Sequence, residues 1–109
     1  MEPVDIVHYK GQFFRVLQRT PQSQTAVMTI APGRDGGPEE THDGDQIIYI
    51  VEGEAIVRVA GHEHRAGPGT LLTIPAHTRH YVSNPGQAPV FFLTVYAPPV
   101  YRGLGRSGF

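Results

Sequence analysis

Glycine and proline are spaced so closely along this chain that an ordinary helix has little room to form. The sequence contains 13 glycines and 10 prolines, together 23 of its 109 residues. Both residue types are unfavourable inside a helix, and here they interrupt the apolar runs before these reach an average helix length. Short strands joined by turns are therefore expected, in a chain whose length suits one compact domain.

Runs of strand-forming residues alternate with turn residues at short, even spacing. About eight such segments are predicted, which favours an all-β sandwich or closed barrel. The clearest are residues 13–17, 25–30, a strand starting at Gln46, and residues 55–59, 70–74, 80–83 and 89–96. Residues 98–109 form a C-terminal tail, in which Gly103, Gly105 and Gly108 match a nucleotide-binding spacing but lack its strand and helix.

Charge and composition exclude several classes of function. The formal net charge is -1 and the basic residues are scattered, so no nucleic-acid partner is expected. Cysteine is absent, which excludes disulfides and thiolate metal sites. No apolar run approaches the roughly 18 residues of a membrane span. With no apolar signal segment in residues 1–12, we expect a cytoplasmic protein without a membrane partner.

Acidic residues concentrate in one part of the chain. Seven of the ten lie between Asp35 and Glu54, which suits a bound cation, although a solvated loop is the alternative. Glu40 and His42 lie in this stretch, just before the strand that starts at Gln46. Because side chains alternate along an extended chain, residues 40 and 42 point the same way, and so do residues 46, 48 and 50. Three candidate ligands can therefore converge on one interior.

A second stretch completes the pattern and supports a resemblance to a known family. Gly69 is followed at fixed spacing by Pro75, His80 and Asn84. Together with the spacing from Gln46 to Gly53, this resembles the two signature motifs of the cupin superfamily. The resemblance covers about residues 25–97 and implies a double-stranded β-helix, or jelly roll. Residues 1–109 are then a single small cupin domain, similar to stand-alone cupins described as mannose-6-phosphate isomerase-like.

The resemblance assigns metal-ligand positions to four residues. Glu40 occupies the first histidine position of the family, His42 the second, Gln46 the glutamate position and His80 the last histidine position. Two imidazoles and a carboxylate are also the ligand set of non-haem iron(II) oxygenases. Without sulfur ligands, manganese, iron, cobalt, nickel, copper and zinc all remain open. The alternative is that these are ordinary polar residues of loops and strands.

Other residues are candidates with competing explanations. His77 replaces a family glycine, which predicts a left-handed turn, with a base facing the pocket as the alternative. His62 and His64 are spaced like a metal pair but follow a turn glycine, so we expect them to be exposed. The predicted pocket walls are Met28, Ile48, Ile50, Val82 and Tyr96, for which core packing is the alternative.

Two functions from different classes follow. The first is a metal-dependent enzyme with dioxygenase-, isomerase- or lyase-type chemistry on a small polar substrate. The second is a module that binds a metal or small molecule without turnover. The resemblance also implies a homodimer, and the apolar residues 13–17 are suited to adding a strand to a partner.

Overall fold

The computed structural model describes residues 1–102, so the glycine-rich motif predicted at residues 103–108 lies outside the described residues. A 3-10 helix at Ile6–Tyr9 precedes eight strands. The strands are β1 Phe14–Arg19, β2 Gln24–Ile30, β3 Asp45–Glu52, β4 Ala55–Val59, β5 His62–Ala66, β6 Leu71–Ile74, β7 His80–Ser83 and β8 Val90–Ala97. Among residues 1–102, no helix has the length and apolar character needed to cross a membrane.

The strands form two antiparallel sheets. The larger has the order β1-β2-β8-β3-β6, and the smaller the order β5-β4-β7. Alternation of side chains decides which face of each strand is buried: on β3, Gln46, Ile48 and Ile50 are buried, while Tyr49 between them is exposed. The predicted all-β jelly roll is confirmed.

Two apolar clusters stabilise the space enclosed by the sheets. The larger contains Ile30, Ile48, Ile50, Val57 and Phe92, each at most 2% exposed. Burying side chains of this size contributes about 1.5–3 kcal/mol each before the entropy of ordering is subtracted. The smaller cluster surrounds Val16, Ala26 and Tyr96, with Phe14 and Tyr101 packed against it. It lies at the end of the molecule where the candidate ligands converge.

Two edge strands, β5 and β1, relate to expectations from the sequence. The segment with His62 and His64 is a full strand, β5, which pairs with β4 while its first four side chains are exposed, as expected for the two histidines. Backbone hydrogen bonding stabilises such an edge strand without apolar burial, so the sequence carries little signal for it. β1, which contains the apolar residues suited to adding a strand to a partner, pairs with β2 and forms one edge of the larger sheet, so its role in a dimer stays a prediction.

Gly69 and Asn84 of the second motif have structural roles. Gly69 has φ +87°, and its N–H donates to the carbonyl oxygen of Ile50 at 2.8 Å. Asn84 is 1% exposed, and its amide donates to the carbonyl oxygens of Ile30 and Ala88 at 3.0 and 2.8 Å. Its Oδ1 accepts from the N–H of Gly86 at 3.0 Å. These bonds fix the chain where it leaves β7, the strand that carries His80.

Candidate metal centre

Backbone pairing brings Glu40 and His80 together. Their backbones form an isolated antiparallel bridge, with hydrogen bonds of 3.1 Å from the Glu40 N–H and 3.0 Å from the His80 N–H. His42 is fixed by its carbonyl oxygen, which accepts from the His77 N–H at 2.7 Å. The next turn packs on the end of β8 so tightly that a Cβ at Gly44 would overlap the carbonyl oxygen of Ala97. This contact holds His42 beside Tyr96.

The three side chains approach one another closely. Glu40, His42 and His80 each offer a ligand atom, and these atoms lie within 4.8 Å of one another. The His42 Nε2 is 3.7 Å from Glu40 Oε1, and the centroids of the two imidazole rings are 5.0 Å apart. Within residues 1–102, Glu40, His42 and His80 form the group of at least three His, Cys, Asp or Glu side chains whose ligand atoms lie close enough together to hold a metal ion.

Hydrogen bonds and burial set the orientation of both imidazoles. The His80 Nδ1 lies 3.0 Å from the carbonyl oxygen of Thr78, to which it donates, so its Nε2 presents a lone pair. Such an outer hydrogen bond is typical of metal-binding histidines. The His42 side chain is 8% exposed, and among the described residues its buried Nε2 has no hydrogen-bond partner. A buried nitrogen without a partner is costly unless another group satisfies it.

Gln46 offers a fourth donor atom. The residue is 6% exposed, and its Nε2 donates to Thr94 Oγ1 at 3.0 Å. This bond directs Oε1 the other way, where it is buried and has no partner within the described part of the chain. Nitrogen, carboxylate and amide oxygen together suit a divalent first-row transition ion. The residues present therefore fit the group that the ligand pattern implies.

Burial favours the neutral forms of the His42 imidazole and the Tyr96 phenol. Burial lowers the pKa of His42, and His80 acts in the same direction, while Glu40 and Asp43 oppose it. A neutral imidazole is the form that binds metal. Burial raises the pKa of Tyr96 well above its usual value, and Tyr101 and Glu40 raise it further. Tyr96 therefore keeps its proton and remains a hydrogen-bond donor at neutral pH.

A cavity of about 50 Å³ adjoins Glu40 and His80, two of the three ligands, together with Gln46. Of the predicted walls, Met28, Val82 and Tyr96 line it. Ile48 and Ile50 do not, because they are fully buried in the larger apolar cluster, deeper along β3 than Gln46. The remaining lining residues are Gly36, Gly37, Pro38, Glu40, Gln46, His80, Tyr81, Phe92 and Tyr101. His42 instead borders a surface groove formed with Asp43 and Pro98.

His77 adopts the turn predicted from its position. Its φ is +63°, and its side chain is 73% exposed. The ring Nδ1 lies 3.8 Å from Asp43 Oδ1, and the residue lines an outer groove with Glu39 and Arg79. The His77 imidazole does not face the cavity, because the left-handed turn directs the ring to solvent.

Tyr101 is one of the wall residues that the sequence did not predict. Its N–H and carbonyl bond the side chain of Gln24, which is buried at the start of β2. Its ring centroid lies 4.9 Å from that of Phe14 and 5.4 Å from that of Tyr96. The sequence signal that could have identified Tyr101 as a wall residue is an aromatic side chain shortly after Pro98 and Pro99. From the sequence alone, that segment is interpreted as a tail.

Comparison with known proteins places this geometry in a family. The family model described as "Cupin domain" matches residues 26–96. The tetracenomycin polyketide synthase protein TcmJ of Streptomyces glaucescens is 31% identical over 107 residues, covering 90% of this chain and 71% of that protein. The crystal structure of BH2720 from Bacillus halodurans has a TM-score of 0.81 at 29% identity, covering 87% of this chain and 76% of that one.

A further relative is longer than this chain. The uncharacterized protein YrkC of Bacillus subtilis (strain 168) is 29% identical over 82 residues, which cover 70% of this chain. Those residues span 44% of that protein. The matched family region also agrees with the cupin core predicted at about residues 25–97, while the assignment of residues 1–109 to a single domain stays a prediction. The chain belongs to the cupin family.

Proposed function

We propose that this chain binds a divalent transition metal through Glu40, His42 and His80 and acts as a metal-dependent oxidoreductase on a small molecule. The observation that supports this most is a pair of buried atoms, His42 Nε2 and Gln46 Oε1, that have no hydrogen-bond partner among residues 1–102. Two imidazoles and one carboxylate leave coordination positions open, as in non-haem iron(II) oxygenases. Isomerase- or lyase-type chemistry would use the same ligands.

The roles of the side chains follow from their contacts. A bound ion supplies Lewis acidity and, if it is iron, redox chemistry. His80 is oriented by Thr78, and burial keeps His42 neutral. Gln46, held by Thr94, presents Oε1 as a weak ligand or as an acceptor for a ligand hydroxyl. Tyr96 stays protonated and is a donor to a ligand oxygen.

Metal content tests this proposal. Full-length protein purified without added ions is analysed for transition metals, and the metal-free form is then titrated calorimetrically with Fe(II), Mn(II), Co(II), Ni(II) and Zn(II). We expect one ion per chain. If fewer than about a tenth of the chains carry metal and no ion rebinds, the unpartnered atoms do not mark a metal centre.

A binding module without turnover is the second candidate. It is favoured by the orientation of His77 towards solvent, because the carboxylate and imidazole side chains that line the cavity are then Glu40 and His80, both of which are candidate metal ligands. Azide, a small anion that binds open metal positions, tests whether the ion has the free coordination position that the enzyme requires. If azide changes the visible spectrum of the cobalt-loaded protein, an open position exists; if it does not at saturation, the ion is enclosed and the binding module is favoured.

We also propose a homodimer in which the outer face of the larger sheet takes part. Tyr49 and Leu71 are 43% and 65% exposed and lie side by side in the register of β3 and β6. Exposed apolar pairs of this kind are common at interfaces. Sedimentation at micromolar concentration should give a dimer, and Leu71→Lys should weaken it. A single 12.0 kDa species for the parent contradicts the proposal. The cytoplasmic location stays a prediction.

A further inference from the structure

The cavity beside the candidate ligands is too small for a ring-bearing ligand in the form described. Its volume is about 50 Å³. An apolar cavity that holds benzene measures about 150 Å³, and a water molecule occupies about 30 Å³ in the liquid. Water or another molecule of very few atoms fits without change. Any ligand that contains a ring must displace one of the walls.

The charges around the cavity disfavour a phosphorylated ligand. Glu40 is the acidic residue that lines it, and among residues 1–102 no lysine or arginine does. The nearby cations are engaged elsewhere: Arg79 pairs with Glu39 at 2.5 Å, and the Arg58 guanidinium stacks on Tyr81 at 5.4 Å. A divalent ion would offset the charge of a phosphate dianion only in part, because Glu40 neutralises half of the ion's charge and no cationic side chain among the lining residues supplies the rest.

Aromatic side chains form much of the wall. Phe92, Tyr96 and Tyr101 all line the cavity, and the rings of Tyr96 and Tyr101 meet edge to face. Aromatic surfaces of this kind favour a flat ring through stacking and edge contacts. The Tyr96 hydroxyl and Gln46 Oε1 add a donor and an acceptor for a ligand hydroxyl.

Tyr101 is the aromatic wall residue that lies outside the strands. Phe92 and Tyr96 belong to β8, the strand that pairs with both β2 and β3. Tyr101 follows the last strand, and its backbone is held by Gln24, with Arg19 also donating to its carbonyl oxygen at 3.1 Å. The ring itself packs on Phe14 and Tyr96, and its hydroxyl lies within hydrogen-bonding reach of the Tyr96 hydroxyl. Rotation of the ring away from the cavity breaks these side-chain contacts but leaves the backbone bonds in place.

We propose that the cavity takes an uncharged, ring-bearing hydroxy compound of the phenol type, which enters by displacing the Tyr101 ring, so that Tyr101 determines which ligands reach the metal. This inference rests on the proposed function, since the ligand hydroxyl is directed towards Glu40, His80 and Gln46. A ligand of this class differs from a sugar phosphate, which is negatively charged and has no aromatic ring.

A matched pair of probes tests the ligand class. Full-length cobalt-loaded protein is titrated with phenol and with phenyl phosphate, and the visible absorption is followed. We expect phenol to change the spectrum and phenyl phosphate to bind at least about tenfold more weakly, because Co(II) and Glu40 together leave one positive charge and no lining lysine or arginine complements the rest of the dianion. If cobalt binds and phenol leaves the spectrum unchanged, or if phenyl phosphate binds as well as phenol, this inference is wrong and the proposed metal centre stands. If cobalt does not bind, both are wrong.

Two variants test the role of Tyr101. In stopped-flow mixing, Tyr101→Ala should raise the association rate of phenol at least about tenfold, because the binding-competent state no longer requires a ring to move. Tyr101→Phe keeps the ring and loses only the hydroxyl contact with Tyr96, so its association rate should stay well below that of Tyr101→Ala. Cobalt affinity should be the same in all three proteins, which shows that the variants fold. Equal phenol association rates for the parent and Tyr101→Ala would contradict a gating role.

Discussion

His62 and His64 share one short segment, whereas His42 and His80 are far apart in sequence, yet the second pair forms the candidate metal centre. His62 and His64 alternate on the edge strand β5 and are both exposed. The rings of His42 and His80 lie 5.0 Å apart, and each is nearly buried. Close spacing in sequence is therefore a weaker guide to a metal site than burial.

The difference has a physical cause. An exposed imidazole keeps its hydrogen bonds to water, so binding an ion must compete with solvation. The buried His42 Nε2 has no partner among the described residues, and His80 is already oriented by Thr78. Folding has already desolvated and ordered the side chains of His42 and His80, so this energetic cost does not arise again when an ion binds. A preorganised ligand set of this kind binds more tightly than a flexible surface pair.

Removing the buried histidines should have the largest effect. We expect His42→Ala with His80→Ala to reduce the affinity for Co(II) by more than about 100-fold, since loss of an outer partner alone costs 10- to 100-fold. The matched control is His62→Ala with His64→Ala, which should leave both the affinity and the stoichiometry of one ion unchanged. Calorimetric titration measures both. Loss of binding in the control protein would move the site to β5.

Glu40 and Gln46 provide the next contrast, between a charged and a neutral oxygen donor. Glu40→Ala should nearly abolish metal binding, because it removes the carboxylate of the ligand set. Gln46→Ala should weaken binding by about 10- to 100-fold, as for a weak or outer ligand. Gln46→Glu should bind the ion more tightly than the parent, since it adds an anionic oxygen. The same titrations decide this, and parent-like affinity in Glu40→Ala would make Glu40 a simple loop acid.

The sequence predicted the parts of this molecule that depend on local chemistry. Turn residues and alternation indicated the all-β fold, and the resemblance to the spacing of the cupin motifs identified Glu40, His42 and His80, which the structure brings together. The spacing worked because Gly44 and Gly69 fix the loops on either side of the strands. Whether these residues bind a metal stays a prediction.

The features that the sequence did not predict depend on depth and on distant contacts. Alternation placed Ile48 and Ile50 on the same face as Gln46 but could not show that they lie deeper, in the core. The contact that docks Tyr101 joins it to Gln24, 77 residues earlier, and no local pattern records such a partner. β5 was missed because its polar residues pair through the backbone.

The smallest expected effect concerns His77, an exposed histidine close in sequence to the buried His80. A left-handed residue other than glycine costs about 1–2 kcal/mol, while glycine adds about 0.5–1 kcal/mol of unfolded-chain entropy. His77→Gly should therefore raise the free energy of unfolding by up to about 1 kcal/mol, measured by urea denaturation, and leave metal affinity unchanged. His77→Ala is the control, because it keeps the Cβ and should not stabilise. If His77→Ala stabilises equally, the imidazole rather than the backbone is the cause; if both variants weaken metal binding, the ring acts on the site despite its exposure.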